Sequence, residues 1–205
     1  ALAFLIFGSK KLPEIGAGLG KAIGSFKKGL NEVEEAKTDL KKSLPVVKEI
    51  TEDLCVDTAR VFSMGFSYGG GMSYAIACAR GKVFRAVAVY AGALLSGCSG
   101  GNDPVAYIGL HSVSDPTCGY SGGEGLRNKF VSNNGCSTQT PPKPGSSTTH
   151  VCTSYSGCKS GYPVRWCAFD AGGHTPAPVD GSSNGSGGGD KTWTKTEVWN
   201  FFTQF

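Results

Sequence analysis

The chain has only three histidines, no Cys-x-x-Cys pair and no cysteine in its first 54 residues. So sparse a supply of nitrogen ligands, with no closely spaced thiols, argues against a zinc site. Long apolar runs are lacking too. Ala1 to Phe7 is wholly apolar, but Gly8-Ser9-Lys10-Lys11 breaks it, and a spanning helix needs roughly 20 residues. It carries neither the charged leader nor the cleavage site of a signal peptide. It reads as the tail end of a membrane segment whose beginning is absent. Strong charge is missing from the body: beyond residue 50 there are 11 basic and 10 acidic residues, which offers nothing for a nucleic acid to bind.

What the chain does have is cysteine, glycine and one ordered motif. Eight cysteines, at 55, 78, 98, 118, 136, 152, 158 and 167, sit in a Gly/Ser/Thr-rich body and read as disulfides of an oxidising compartment. Their pairing is not legible in the sequence, and Cys78, inside an apolar segment, reads equally as a buried small hydrophobe. The motif is Gly65-Phe66-Ser67-Tyr68-Gly69. A β-prone run, Arg60 to Met64, precedes it. Met72 to Ala79, free of Gly and Pro, follows as a helix. A strand turning sharply into a helix lifts the middle residue to an exposed, strained tip, which is the geometry of a nucleophile elbow. The same Gly-x-Ser-x-Gly pattern recurs at Gly97, Gly119 and Gly181, but without a strand before it and a helix after it. Those three read as loops, and Ser67 is the candidate nucleophile.

The first fifty residues are different material, with nine lysines against six acids. Leu12, Ile15, Leu19, Ile23, Phe26, Leu30, Val33, Leu40 and Leu44 fall at mostly three- and four-residue steps and form one face of an amphipathic helix. Lys10, Lys11, Lys21, Lys27 and Lys28 crowd its first half, as on a helix lying against an anionic membrane. Phe7-Gly8-Ser9-Lys10-Lys11-Leu12-Pro13-Glu14-Ile15-Gly16, with Leu19-Gly20-Lys21-Ala22-Ile23 and Phe26-Lys27-Lys28, resembles the A/E subunit of the twin-arginine translocase. The resemblance covers roughly residues 1–44 and implies a hinge and an amphipathic helix; the family's membrane helix is missing. Two domains are expected, 1–45 and 46–205.

The body alternates strand-like and helix-like segments, which predicts a parallel α/β sheet. After the elbow helix come strands over Phe84–Ala91 and Val105–His111 and a short helix over Gly125–Ser132. Strands over His150–Tyr155 and Val164–Phe169 and a terminal helix over Thr192–Phe205 follow. Ligands in such sheets sit at the carboxyl ends of strands. There a serine needs a base, and the base an acid. Asp115 follows the strand 105–111, and His174 sits in the glycine-flexed Asp170-Ala171-Gly172-Gly173-His174-Thr175 after the strand 164–169. Ser67…Asp115…His174 is the order used by α/β-hydrolases. Asp170 is an alternative acid. His111 reads as lining the substrate pocket or bonded within the core, His150 as surface, and Asp103, Asp180 and Asp190 as turn formers.

From about residue 46 onward the chain resembles secreted fungal feruloyl esterases of the carbohydrate esterase type related to polyhydroxybutyrate depolymerases. The resemblance lies in Leu54-Cys55-Val56-Asp57, Gly65 to Tyr74, Phe84 to Tyr90, Leu95-Ser96-Gly97-Cys98 and Gly173-His174-Thr175-Pro176. It implies a serine esterase that releases hydroxycinnamates from plant cell-wall polysaccharide without a metal or organic cofactor. Ser67 would attack, His174 would serve as base then acid, Asp115 would orient His174, and the Tyr68 backbone N–H would face the oxyanion. His111 is the candidate substrate-binding residue. Such enzymes place several strands ahead of the elbow strand, where this chain carries the translocase-like segment. The expectation is therefore a partial α/β-hydrolase with its N-terminal strands missing, preceded by an amphipathic helix. It would expose a strand edge near residues 61–64 and have no evident second oxyanion donor, a loss worth roughly a hundred- to a thousandfold in rate. The alternative expectation is a membrane-associated, translocase-like element with a non-catalytic globular tail.

Overall fold

The computed structural model describes residues 48–145, 149–181 and 191–205. The chain divides into two units, Ala1–Leu54 and Cys55–Phe205. Of the first, residues 48–53 are helical; the amphipathic helix and membrane-segment end expected over 1–45 lie outside the described residues. No helix among the described residues is long and apolar enough to cross a membrane.

The second unit is built on five described strands: β1 (Phe62–Phe66), β2 (Ala86–Tyr90), β3 (Ala106–Ser112), β4 (His150–Ser154) and β5 (Val164–Phe169). Their order is β1-β2-β3-β5-β4. The first four in that order are parallel, and β4 pairs antiparallel with β5 at one end. Among the described residues of this unit three α-helices accompany them, α1 (Tyr68–Ala79), α2 (Tyr120–Asn133) and α3 (Thr194–Phe202), with a short 3-10 turn at Thr58–Arg60 before β1. This is an α/β sheet with flanking helices, as the alternation of segments predicts.

The strands alternate their loyalties residue by residue, because successive side chains leave opposite faces. Val87, Val89, Tyr107, Trp166 and Ala168 pack with Tyr74 of α1 and Leu126 and Phe130 of α2. Ala86, Ala88, Ile108, Leu110, Cys167 and Phe169 pack with Val198, Phe201 and Phe202 of α3. With both faces covered, every residue of β2 and β3 is buried. That is why these strands read as continuous apolar runs.

Two departures from expectation have clear causes. α2 begins at Tyr120, well before the expected Gly125, so Gly119-Tyr120-Ser121-Gly122-Gly123 opens a helix where the sequence reads as a loop. Tyr120 drives this: its hydroxyl accepts a hydrogen bond from the buried Trp166 Nε1 at 2.9 Å, which draws the segment onto the sheet. Cys78 is not a lone hydrophobe; it is bonded to Cys98, and the other disulfides are Cys136–Cys158 and Cys152–Cys167. Cys55 and Cys118 are free. At the far end of α2 the fully buried Asn134 ties three segments together. Its Oδ1 accepts from Val105 N, and its Nδ2 donates to Val105 O and Tyr162 O.

Candidate active site

Ser67 stands between the last residue of β1 and the first of α1, with φ 55° and ψ −118°. A non-glycine residue in the left-handed half of backbone space is strained, and the fold must hold it there. Two backbone bonds do so: Ser67 N donates to Tyr90 O at 2.9 Å, and Gly71 N donates to Ser67 O at 3.0 Å. The amino end of α1 lies behind the hydroxyl. As the first helical residue, Tyr68 has an N–H with no intrahelical acceptor, in a place that favours negative charge.

The base arrives on a loop past the carboxyl end of β5. Gly172 and Gly173 take φ of 72° and 60°, conformations that let the chain fold His174 back over the sheet. His174 Nε2 lies 2.8 Å from Ser67 Oγ, and Nδ1 lies 2.9 Å from Asp115 Oδ2. The ring leans on Phe66 with centroids 4.7 Å apart. Asp115 in turn is clamped. Its Oδ1 accepts the backbone N–H groups of Thr117 and Cys118 at 2.8 and 3.0 Å, in the turn that follows β3. Burial works to raise the carboxyl, but the bonds from His174, Cys118 and Thr117 outweigh it and hold Asp115 below its ordinary value. A buried, ionised carboxylate is thus aimed at one imidazole nitrogen and a serine at the other. That line of groups can draw the proton from Ser67.

A depressed carboxyl also has a consequence for folding. Asp115 contributes stability while ionised, in full above the unfolded carboxyl value near about pH 4 and progressively less as pH falls through its lower folded value. Asp115→Asn is therefore expected to cost more stability at pH 7 than at pH 3. Paired urea unfolding curves at the two pH values check this; an equal cost at both would show the charge to be irrelevant.

The structure places the other candidates elsewhere. Asp170 forms none of the contacts to His174, which goes to Asp115. His111 does not line an open pocket; it is 1 % exposed, with Nε2 3.2 Å from Asp115 Oδ2. Its alternation in β3 with Tyr107 and Gly109 directs it under α2, not toward the mouth of the site. His150 is partly exposed, with Nδ1 2.8 Å from Asp180 Oδ2 and its ring stacked on Trp193 at 3.7 Å. Cys118, expected in a disulfide, is a free thiol in the turn that clamps Asp115; burial and the charge of Asp115 push it up, and Ser67 acts the other way. Its spacing, three residues after the acid in a tight turn, was the available signal.

Residues 1–36 match the mttA/Hcf106 family, and residues 26–95, which include the elbow, match the prolyl oligopeptidase family. Feruloyl esterase C of Emericella nidulans is 51% identical over 150 residues, covering 72% of this chain and 53% of that enzyme. Feruloyl esterase D of Neurospora crassa is 42% identical over 161 residues, covering 78% of this chain and 53% of the relative. The chain thus spans about half the length of the curated relatives it matches. Among solved structures, an acetyl xylan esterase from Aspergillus awamori superposes with a TM-score of 0.55 at 12% identity, over 80% of this chain and 66% of that one. The chain therefore has an α/β-hydrolase fold and is similar in sequence to fungal feruloyl esterases over about half their length.

Proposed function

We propose that the body, residues 46–205, is a serine carboxylic-ester hydrolase of the feruloyl type. The observation that carries this is the continuous relay Ser67–His174–Asp115, at 2.8 and 2.9 Å. In the reaction, His174 Nε2 takes the Ser67 proton as Oγ attacks the ester carbonyl. The oxyanion forms toward the Tyr68 N–H at the amino end of α1. His174 then gives its proton to the departing alcohol, leaving an acyl-Ser67. Water, deprotonated by His174, attacks that ester; the carboxylic acid leaves and Ser67 regains its proton. Asp115 keeps Nδ1–H turned toward itself throughout and stabilises the imidazolium.

The names of the relatives support ferulate and related hydroxycinnamate esters of plant cell-wall polysaccharide as the substrate class. Three disulfides support a secreted, oxidising setting. For residues 1–45 we propose a separate, translocase-like unit that meets an anionic membrane surface through residues 10–44; the match of residues 1–36 to the mttA/Hcf106 family favours it.

The test of the hydrolase is labelling of the purified chain with a fluorophosphonate, followed by peptide mass spectrometry. An adduct on Ser67, with turnover of methyl ferulate, is the expected result. A folded, unlabelled chain would overturn it and leave the globular tail non-catalytic.

A further inference from the structure

Among the buried titratable groups that the proposed reaction does not use, His111 stands against the acid of the triad. His111, near the end of β3, brings Nε2 within 3.2 Å of Asp115 Oδ2, the same oxygen that His174 Nδ1 reaches at 2.9 Å. The approach is off the line that a ring N–H needs, so Nε2 has no hydrogen-bond partner although it is fully buried. The ring cannot swing away to find one. Tyr120 stands edge-on to it, with centroids 5.9 Å apart, and Trp166, itself against Tyr120, lies 6.1 Å away. The backbone of α2 presses on it so closely that a Cβ added to Gly123 would overlap Nδ1 and the adjoining ring carbons. A side chain this confined holds one orientation, and that orientation points a nitrogen at the acid of the triad.

We infer that His111 is a positioning residue: neutral, with its proton on Nε2, it holds Asp115 Oδ2 toward His174 and takes up part of the carboxylate charge. The alternative tautomer would aim a lone pair at a carboxylate oxygen 3.2 Å away, which is repulsive in a dry site. The ionised alternative fails for a different reason. The titratable groups facing the ring are Asp115 and His174 from the loops and Tyr120 and Glu124 from α2. Burial, the largest influence, and His174 favour neutral His111 over the pull of Asp115 and Glu124, and the imidazole is held below its ordinary value. A second cation beside an imidazolium would also oppose the charge that His174 must carry in the reaction. His111 therefore sets how much of the Asp115 charge His174 feels.

The inference rests on the reading of Ser67, His174 and Asp115 given above, and its test does not need an ester. With three histidines in the chain, ¹⁵N imidazole spectra of the unaltered protein report each tautomer and each titration. His111 is expected to stay neutral with Nε2–H across the range in which His174 titrates. Removing the Nε2–H dipole that faces Asp115 Oδ2 leaves more negative charge for His174, so His111→Phe is expected to raise the His174 midpoint. His111→Gln restores an N–H near the same place and is expected to bring the midpoint back. A purely structural role would lower the melting temperature and leave the midpoint alone. Three coincident midpoints, or a His111 protonated on Nδ1 in the unaltered protein, would overturn the inference. The tautomer alone decides if His111→Phe does not fold. A chain that titrates as expected but turns over no methyl ferulate would defeat the hydrolase reading and spare this one.

Discussion

His174→Ala is expected to lower kcat/KM for methyl ferulate by roughly a millionfold, and Ser67→Ala by as much, because the two act as one unit in serine hydrolases. Removing either takes away the proton transfer that makes the hydroxyl a nucleophile. A double Ser67→Ala/His174→Ala variant is expected to be no worse than either single one. Asp115→Asn should be milder, at roughly ten-thousandfold, since an amide still fills the site but offers His174 Nδ1 the wrong hydrogen-bonding partner. The grading follows from the geometry: His174 touches both Ser67 Oγ and Asp115 Oδ2, whereas Asp115 acts only through His174. Ser67 is half-buried, and its loss should leave urea unfolding close to that of the parent, whereas His174→Ala also takes a partner from the buried Asp115. If Ser67→Ala kept its turnover, another nucleophile would have to be found, and the free thiol of Cys118, in the turn beside Asp115, would be the first to replace.

The parts of this site that the sequence discloses are those set by local rules. Ser67 is recognisable because strand, turn and helix are neighbours in the chain. Asp115 and His174 are recognisable because parallel strands deliver their ligands at one end, so a carboxylate after β3 and a histidine after β5 must converge. The buried strands are legible for a similar reason: both faces of β2 and β3 are covered, and the pattern is continuous apolar. What stays hidden depends on contacts across many residues. The pairing of Cys78 with Cys98 is fixed by where the loop after β2 returns to α1, which no spacing rule supplies. The early start of α2 depends on Trp166, 46 residues away from Tyr120. His111 marks the boundary between the two cases. Alternation along β3 groups it with Tyr107 and Gly109, on the face that α2 covers. Its nearness to Asp115 in sequence suggests the site, and its parity removes it from the open cleft.

The largest structural effect should come from adding one methyl group. Gly65→Ala is expected to destabilise the fold by more than about 4 kcal/mol, a size that points to a specific clash in place of ordinary packing loss. Its Cβ would overlap the carbonyl carbon and oxygen of Gly69 and come within 2.8 Å of Gly70 N. All three are backbone atoms, so no rotamer can relieve the contact. The strand and helix would have to part, and the elbow bonds from Ser67 N to Tyr90 O and from Gly71 N to Ser67 O would go with them. Gly69→Ala provides the control in the same turn. A Cβ there meets nothing within 4 Å, and an alanine in the first turn of a helix gains about 0.5–1 kcal/mol in propensity over glycine. Urea unfolding of both variants separates the explanations. Strong loss at 65 with gain or neutrality at 69 assigns the cost to close approach of β1 and α1. Equal losses would assign it to glycine's backbone freedom throughout the elbow, and the close approach would then not be what requires glycine before Ser67.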